Sequence, residues 1–202
     1  MGRIFLCGIK HSGKTTLGRL LAQRLHIAWV DLDEYIEEAI EENIRSFYQR
    51  EGHTAFQALE VRYLQQILAE QSDECIISLG GGAADNEALM TLLKDSGTLI
   101  YLWVEESELL KRIIATGIPP FLDPANVEAS FHELFQAEYC YLEMRQHSFV
   151  YLLLLCCPCH GGVFDFPSQR NNRSIRFSPK THIHRTIDCE TRLFRAIDFC
   201  FQ

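Results

Sequence analysis

Apolar positions in this chain follow two kinds of spacing, and the two alternate. Arg3 to Cys7 is a short apolar run ending in a glycine loop, after which Leu17, Leu20, Leu21 and Leu25 recur at the spacing of one helix face. This reads as strand, loop, helix. Ile27 to Val30 reads as a second strand and Asp33 to Glu42 as a helix with an acidic, solvated face; Thr54 to Leu68 carries Phe56, Leu59, Tyr63 and Ile67 on one stripe and reads as an amphipathic helix. Cys75 to Leu79 is a buried strand stopped by Gly80-Gly81-Gly82. Glu87 to Lys94 is helical, Thr98 to Val104 is an uninterrupted strand, and Glu106 to Ala115 is a helix ended by Gly117 and Pro119-Pro120. A loop over Gly117 to Val127, a helix from about Ser130 to Gln146 and a strand from about Ser148 to Leu155 follow. Continuous apolar strands alternating with helices predict an α/β fold, a three-layer sandwich around a parallel sheet of about five strands.

The pattern breaks near residue 156. Before residue 151 there are 12 Lys+Arg against 23 Asp+Glu, and from 151 onward 7 against 4. A chain of 202 residues, 47% hydrophobic, suits one well-buried core, so residues 1–155 are expected to form the main domain. Residues 156–180 are rich in Gly, Pro, Ser, Asn and Arg without a period and read as a loop insertion or a disordered segment. Leu193, Phe194, Ile197 and Phe201 restore a helical stripe, so residues 181–202 are expected to return as a strand and helix packed on the domain.

Net charge and termini narrow the partners. A formal charge of −8 and a pI near 5.5 argue against nucleic acid and anionic membranes, which call for a clustered basic face. A monomer acting on a small soluble molecule is expected. The opening Met1 to Cys7 has no long apolar run like that of a secretory signal, and Phe149 to Cys157 is too short to cross a bilayer, so a cytoplasmic address is expected. Of the eight cysteines, Cys7, Cys75 and Cys140 sit singly among apolar residues, as small buried hydrophobes do. Cys156, Cys157, Cys159 and His160 have zinc-binding chemistry but lack a second ligand pair at finger spacing.

The segment Gly8-Ile9-Lys10-His11-Ser12-Gly13-Lys14-Thr15-Thr16 fits G-x-x-x-x-G-K-[ST] with a strand before it and a helix after it. Gly8 and Gly13 let backbone wrap a phosphate, and N–H groups from Ser12 through Thr16 point at the anion. Lys14 adds a charge at the β and γ phosphates, and Thr15 offers a hydroxyl to Mg²⁺. This points to a phosphotransferase that grips ATP·Mg²⁺. Asp31 and Asp33, two apart at the end of the second strand, face the same way on extended chain. One can hold the metal through water while the other takes a proton from an attacking hydroxyl, and Asp33 also suits the N-cap of the helix that follows. Gly80, Gly81 and Gly82 let backbone approach a ligand, and Arg112 or Lys111 can reach nucleotide from the helix before the Pro119-Pro120 loop.

The order of these motifs resembles shikimate kinase, within the nucleoside-monophosphate-kinase-like group, over about residues 1–150. The likeness rests on the Gly8 to Thr16 segment, Asp31-x-Asp33 followed by Tyr35-Ile36-Glu37, Glu51-Gly52-x-x-x-Phe56-x-x-x-Glu60, Leu79-Gly80-Gly81-Gly82, and Arg112 before Pro120-Phe121-Leu122. The resemblance implies transfer of the ATP γ-phosphoryl group to the 3-hydroxyl of shikimate, toward chorismate and the aromatic amino acids. It implies that Lys14 and Asp33 are catalytic, with Asp33 deprotonating the hydroxyl and Asp31 holding Mg²⁺ through water. It further implies that Gly81 donates its N–H to substrate, that Gly80, Gly82 and position 57 line the substrate site, that Arg112 lies against adenine, and that Gly117 to Val127 closes as a lid.

Three positions depart from that pattern. Gln57, Pro119 and Ala137 stand where the family usually has arginines that clamp the substrate carboxylate or the transferred phosphate. Arg62 and Arg145 are the expected substitutes. The departures also leave two other readings open: a kinase for another hydroxylated metabolite such as gluconate, or a nucleotide-binding module without turnover whose basic tail meets a partner protein.

Overall fold

Alternation within each strand decides which layer a residue joins. The structure is a computed structural model and describes residues 2–118, 122–144 and 149–153, with 137–144 and 149–153 described as backbone. In β1 (Ile4–Cys7), Ile4 and Leu6 point to one face and Phe5 and Cys7 to the other. Four more strands follow, β2 (Ala28–Asp31), β3 (Cys75–Ser78), β4 (Thr98–Trp103) and β5 (Phe149–Leu153). They join β1 in one parallel sheet of order β2-β3-β1-β4-β5, with Ile4 opposite Ile76 and Thr98.

Both faces are covered. The Ile4 and Leu6 face packs against α1 (Lys14–Leu25), α6 (Glu106–Thr116) and α7 (Val127–Met144) through Leu17, Leu21, Leu109, Ile113 and Phe131. The Phe5 and Cys7 face packs against α2 (Leu32–Ile40), α4 (His53–Glu70) and α5 (Glu87–Lys94) through Ile36, Tyr63, Leu64, Ile67, Leu89 and Leu93. This is the three-layer architecture expected from the sequence, with five strands. Cys7 and Cys75 are buried in it.

Element boundaries shift in physically readable ways. The expected helix to Glu42 stops at Ile40, because Glu41 turns left-handed at φ 54° and ends the helical run. An additional short helix, α3 (Ile44–Glu51), fills what the apolar pattern left blank: Asn43 caps it by accepting from the Ser46 N–H at 2.8 Å, and none of its residues is fully buried. Helix α7 begins at Val127, three residues before the expected start and at the residue where the preceding loop was expected to end. Cys140, the cluster at 156–160 and the tail segments 156–180 and 181–202 lie outside the residues whose side chains are described.

Candidate active site

The carboxyl ends of β1, β2 and β3 bring three loops together. After β1 the chain enters Gly8 at φ 146°, and a Cβ there would lie 2.6 Å from the Leu102 carbonyl oxygen, so the loop passes the end of β4 only as glycine. Ser12 N–H then donates to Ile9 O at 3.0 Å, His11 sits left-handed at φ 68°, and Gly13 forms the N-cap of α1 without any side chain bonding the helix N-terminus. The first-turn N–H groups of Lys14, Thr15 and Thr16 therefore face the loop's interior, the arrangement that binds anions. Lys14, 9% exposed, folds back so that Nζ donates to the carbonyls of Gly8 at 2.5 Å and Ile9 at 3.1 Å. Ser12 Oγ is buried beside it with no hydrogen-bond partner. An ammonium turned onto carbonyls, next to an orphaned hydroxyl and an uncapped helix, makes a concavity that a phosphate would complete.

Strand β2 runs one residue further than expected and delivers Asp31 rather than Asp33 to the cap. Asp31 Oδ1 accepts from the N–H groups of Asp33 at 3.1 Å and Glu34 at 3.5 Å, so Asp31 is the N-cap and Asp33 lies inside the first turn of α2. The other Asp31 oxygen accepts from Thr15 Oγ1 at 2.9 Å, which brings the two expected metal-binding side chains into contact. Their donor set is hard oxygen, with room for phosphate and water oxygens, and suits Mg²⁺.

Asp33 faces the glycine turn after β3. A Cβ on Gly80 would meet Asp33 Oδ1 at 2.8 Å and Glu60 Oε1 at 3.3 Å, so the turn packs its bare backbone against two carboxyl groups. Asp33 Oδ1 is buried without a hydrogen-bond partner. Burial, with the Asp31 charge second, pushes the Asp33 carboxyl up to about 6. Gly81 touches the phosphate loop: a Cβ on it would lie 3.1 Å from Lys10 N and 3.3 Å from Lys10 Cβ. At Gly82 a side chain would meet nothing within 4 Å, so packing does not call for glycine there.

Behind the turn lies a polar group that the sequence reading left out of the site. Glu60 is 2% exposed on the inner side of α4, and Asn86 donates to its Oε2 at 3.0 Å and to the Gln57 carbonyl at 2.8 Å while capping α5 at the Leu89 N–H. The Gln57 side chain donates to the Asp85 carbonyl at 3.2 Å. The available signals were a lone acid on an otherwise apolar stripe and an asparagine directly before a helix.

Burial lifts the Glu60 carboxyl from its ordinary 4.5 to about 7. The folded chain thus keeps this proton to higher pH than the unfolded chain does. The stability it contributes is full below about pH 4.5 and is lost as pH rises through 7. Glu60→Gln, neutral at every pH and able to keep the Asn86 bond, is expected to match wild type near pH 4.5 and exceed it by about 3 kcal/mol at pH 8. Urea denaturation at both pH values checks this; an equal gap at both would contradict it.

Arg112 reaches the phosphate loop from α6, with Nη1 3.3 Å from the His11 carbonyl it donates to and Nε paired with Glu108 at 3.0 Å. Lys111 is exposed beside it. His11 Nε2 lies 3.3 Å from Thr116 Oγ1, one residue before Gly117, and burial followed by Lys10, Lys14 and Arg112 holds its pKa below the ordinary 6.5. Arg62 does not take the place of an arginine at position 57. Two residues past Glu60 on a helix turning about 100° per residue, it falls on the opposite face, exposed, with its guanidinium 5.4 Å from the Tyr63 ring. Pro119, Arg145 and the Ala137 side chain lie outside the described residues.

A parallel sheet of this order, with a phosphate loop after its first strand and paired carboxylates after its second, defines the P-loop kinase class. The sequence profile of the shikimate kinase family matches residues 10–150. Among curated relatives, the shikimate kinase of Neisseria gonorrhoeae is 34% identical over 136 residues, 67% of this chain and 79% of that protein. That of Chlorobaculum parvum is 40% identical over 125 residues, 62% of this chain and 66% of that one. The solved structure of the Acinetobacter baumannii shikimate kinase in complex with shikimate superposes with a TM-score of 0.65 at 26% identity, covering 74% of this chain and 83% of that chain. The chain belongs to the shikimate kinase family. It spans about six tenths of the length of several of the curated relatives it matches, 59% for Chlorobium limicola and 62% for Chlorobium phaeobacteroides.

Proposed function

We propose that the protein is a small-molecule kinase that transfers the γ-phosphoryl group of ATP to the 3-hydroxyl of shikimate, on the route to chorismate and the aromatic amino acids. The observation that carries this reading is the meeting of two loops. The phosphate loop touches the glycine turn at Lys10 and Gly81, and one residue away Gly80 packs on the unpartnered oxygen of Asp33. A triphosphate seated on Gly8, Ser12, Gly13, Lys14, Thr15 and Thr16 then ends within reach of a hydroxyl seated on Asp33.

Lys14 turns from the loop carbonyls to the β and γ phosphates, and Arg112 lies at the adenine side. Thr15, directly, and Asp31, through water, would hold Mg²⁺, whose charge offsets that of the phosphates when bound. Asp33 accepts the hydroxyl proton; a carboxyl held near 6 is ionised at neutral pH yet basic enough to take a proton as the new bond forms. Gly80 and Gly81 present backbone to the acceptor, with Gln57 and Gly82 at the edge of the same space. Phosphoryl transfer asks chiefly for alignment and charge neutralisation, and this arrangement supplies both. The protein works in this reading as a cytoplasmic monomer; among the described residues no helix is long and apolar enough to cross a membrane.

A coupled assay of ADP release tests the proposal with shikimate, gluconate and no acceptor in parallel. Shikimate-dependent turnover is expected. Turnover with gluconate alone would replace the acceptor, and nucleotide binding without acceptor-dependent turnover would leave only a binding module.

A further inference from the structure

A carboxylate-bearing acceptor drawn into a half-buried cleft needs a cation, because it gives up hydration on entry. This consideration rests on the acceptor proposed above. Most described cations near the cleft are directed elsewhere. Position 57 is a neutral amide bonded to the Asp85 carbonyl, Arg62 lies on the far face of α4, and Arg112 reaches the opposite side of the loop at His11. Lys14 sits inside the loop on the Gly8 and Ile9 carbonyls.

Lys10 differs from all of these. It is exposed on the crest of the phosphate loop, and among the described residues it makes no hydrogen bond or ion pair. Its Cβ lies 3.3 Å from the place a Gly81 Cβ would take, so the side chain starts beside the glycine turn. The neighbouring Gly80 packs on Asp33. We infer that Lys10 is a specificity-determining residue whose ammonium binds the carboxylate of the acceptor, taking over the charge that Gln57 lacks. A lysine serves here as a point charge on a flexible stem, where an arginine at position 57 would have offered a rigid fork from α4.

The test compares wild type with Lys10→Met and Lys10→Arg in the full chain, using Mg·ATP with either shikimate or its uncharged carboxamide. Lys10→Met is expected to raise the KM for shikimate about tenfold or more, the usual weight of a charge-assisted hydrogen bond, and Lys10→Arg to recover most of it. The effect should leave the KM for ATP within about twofold and should vanish with the carboxamide, which wild type and Lys10→Met use equally poorly. A loss that appears in kcat or in the KM for ATP with the shikimate KM unchanged would assign Lys10 to the triphosphate and overturn the inference. So would an equal penalty on the carboxamide. An active wild type unaffected by Lys10→Met defeats this inference alone, whereas a wild type inactive on shikimate defeats the acceptor reading and this inference with it.

Discussion

Lys14→Ala is expected to lower kcat/KM for ATP by about 10³-fold or more while leaving the fold intact. The side chain is almost wholly buried, and its ammonium donates to the loop's own carbonyls at Gly8 and Ile9. It is therefore positioned before any ligand arrives, so little reorganisation is needed when phosphate replaces carbonyl as its partner. Removing it takes away a charge that counts most when the γ-phosphoryl group is in flight, and the backbone N–H groups at the start of α1 remain to bind nucleotide weakly. The loss should therefore be larger in kcat than in the affinity for ADP. Steady-state kinetics with circular dichroism as a fold control checks this. A variant within tenfold of wild type would mean that the loop does not hold the transferred phosphate.

Asp33→Asn should reduce kcat by about 10² to 10⁴-fold with the KM for ATP nearly unchanged. Asparagine fits the same space against Gly80 but cannot take a proton. The pH dependence gives an independent reading. Burial raises the Asp33 carboxyl to about 6, so the group is protonated and inactive below that pH and ionised above it. Wild-type kcat/KM should rise with pH up to about 6 and then level off, and Asp33→Asn should lose that limb. If Asp33→Asn kept wild-type turnover, Asp33 would be a packing residue of the first helical turn and no base.

Local features of the site were legible in the sequence and distant ones were not. The phosphate loop is contiguous, so Gly8 through Thr16 could be read off as one segment with its flanking strand and helix. Asp31 and Asp33 were visible as a pair because alternate residues on a strand share a side, but which of them caps α2 depended on where the strand ends. One more residue of β2 gives the cap to Asp31, whose second oxygen then takes the Thr15 hydroxyl. Helix α3 has no fully buried residue, and its short stripe of Ile44, Phe47 and Tyr48 was passed over between two longer helices. Glu60 entered the likeness as a motif residue yet stayed out of the site, because a charged side chain reads as solvated until the packing of α4 against the glycine turn and Asn86 shows it enclosed. Substitutes for the absent arginines were sought at Arg62, on the same helix as position 57, and at Arg145, which lies outside the described residues. Lys10, proposed above for that charge, lies 47 residues away along the chain and beside Gly81 in space.

Phosphorus NMR of a reaction containing the protein, Mg·ATP and shikimate tests the central claim most directly, since it distinguishes transfer to an alcohol from transfer to water. The account predicts a phosphomonoester resonance on shikimate growing as the γ-phosphate signal of ATP declines, with no matching rise in inorganic phosphate. ATP consumed into inorganic phosphate alone, or left intact while bound, would contradict it.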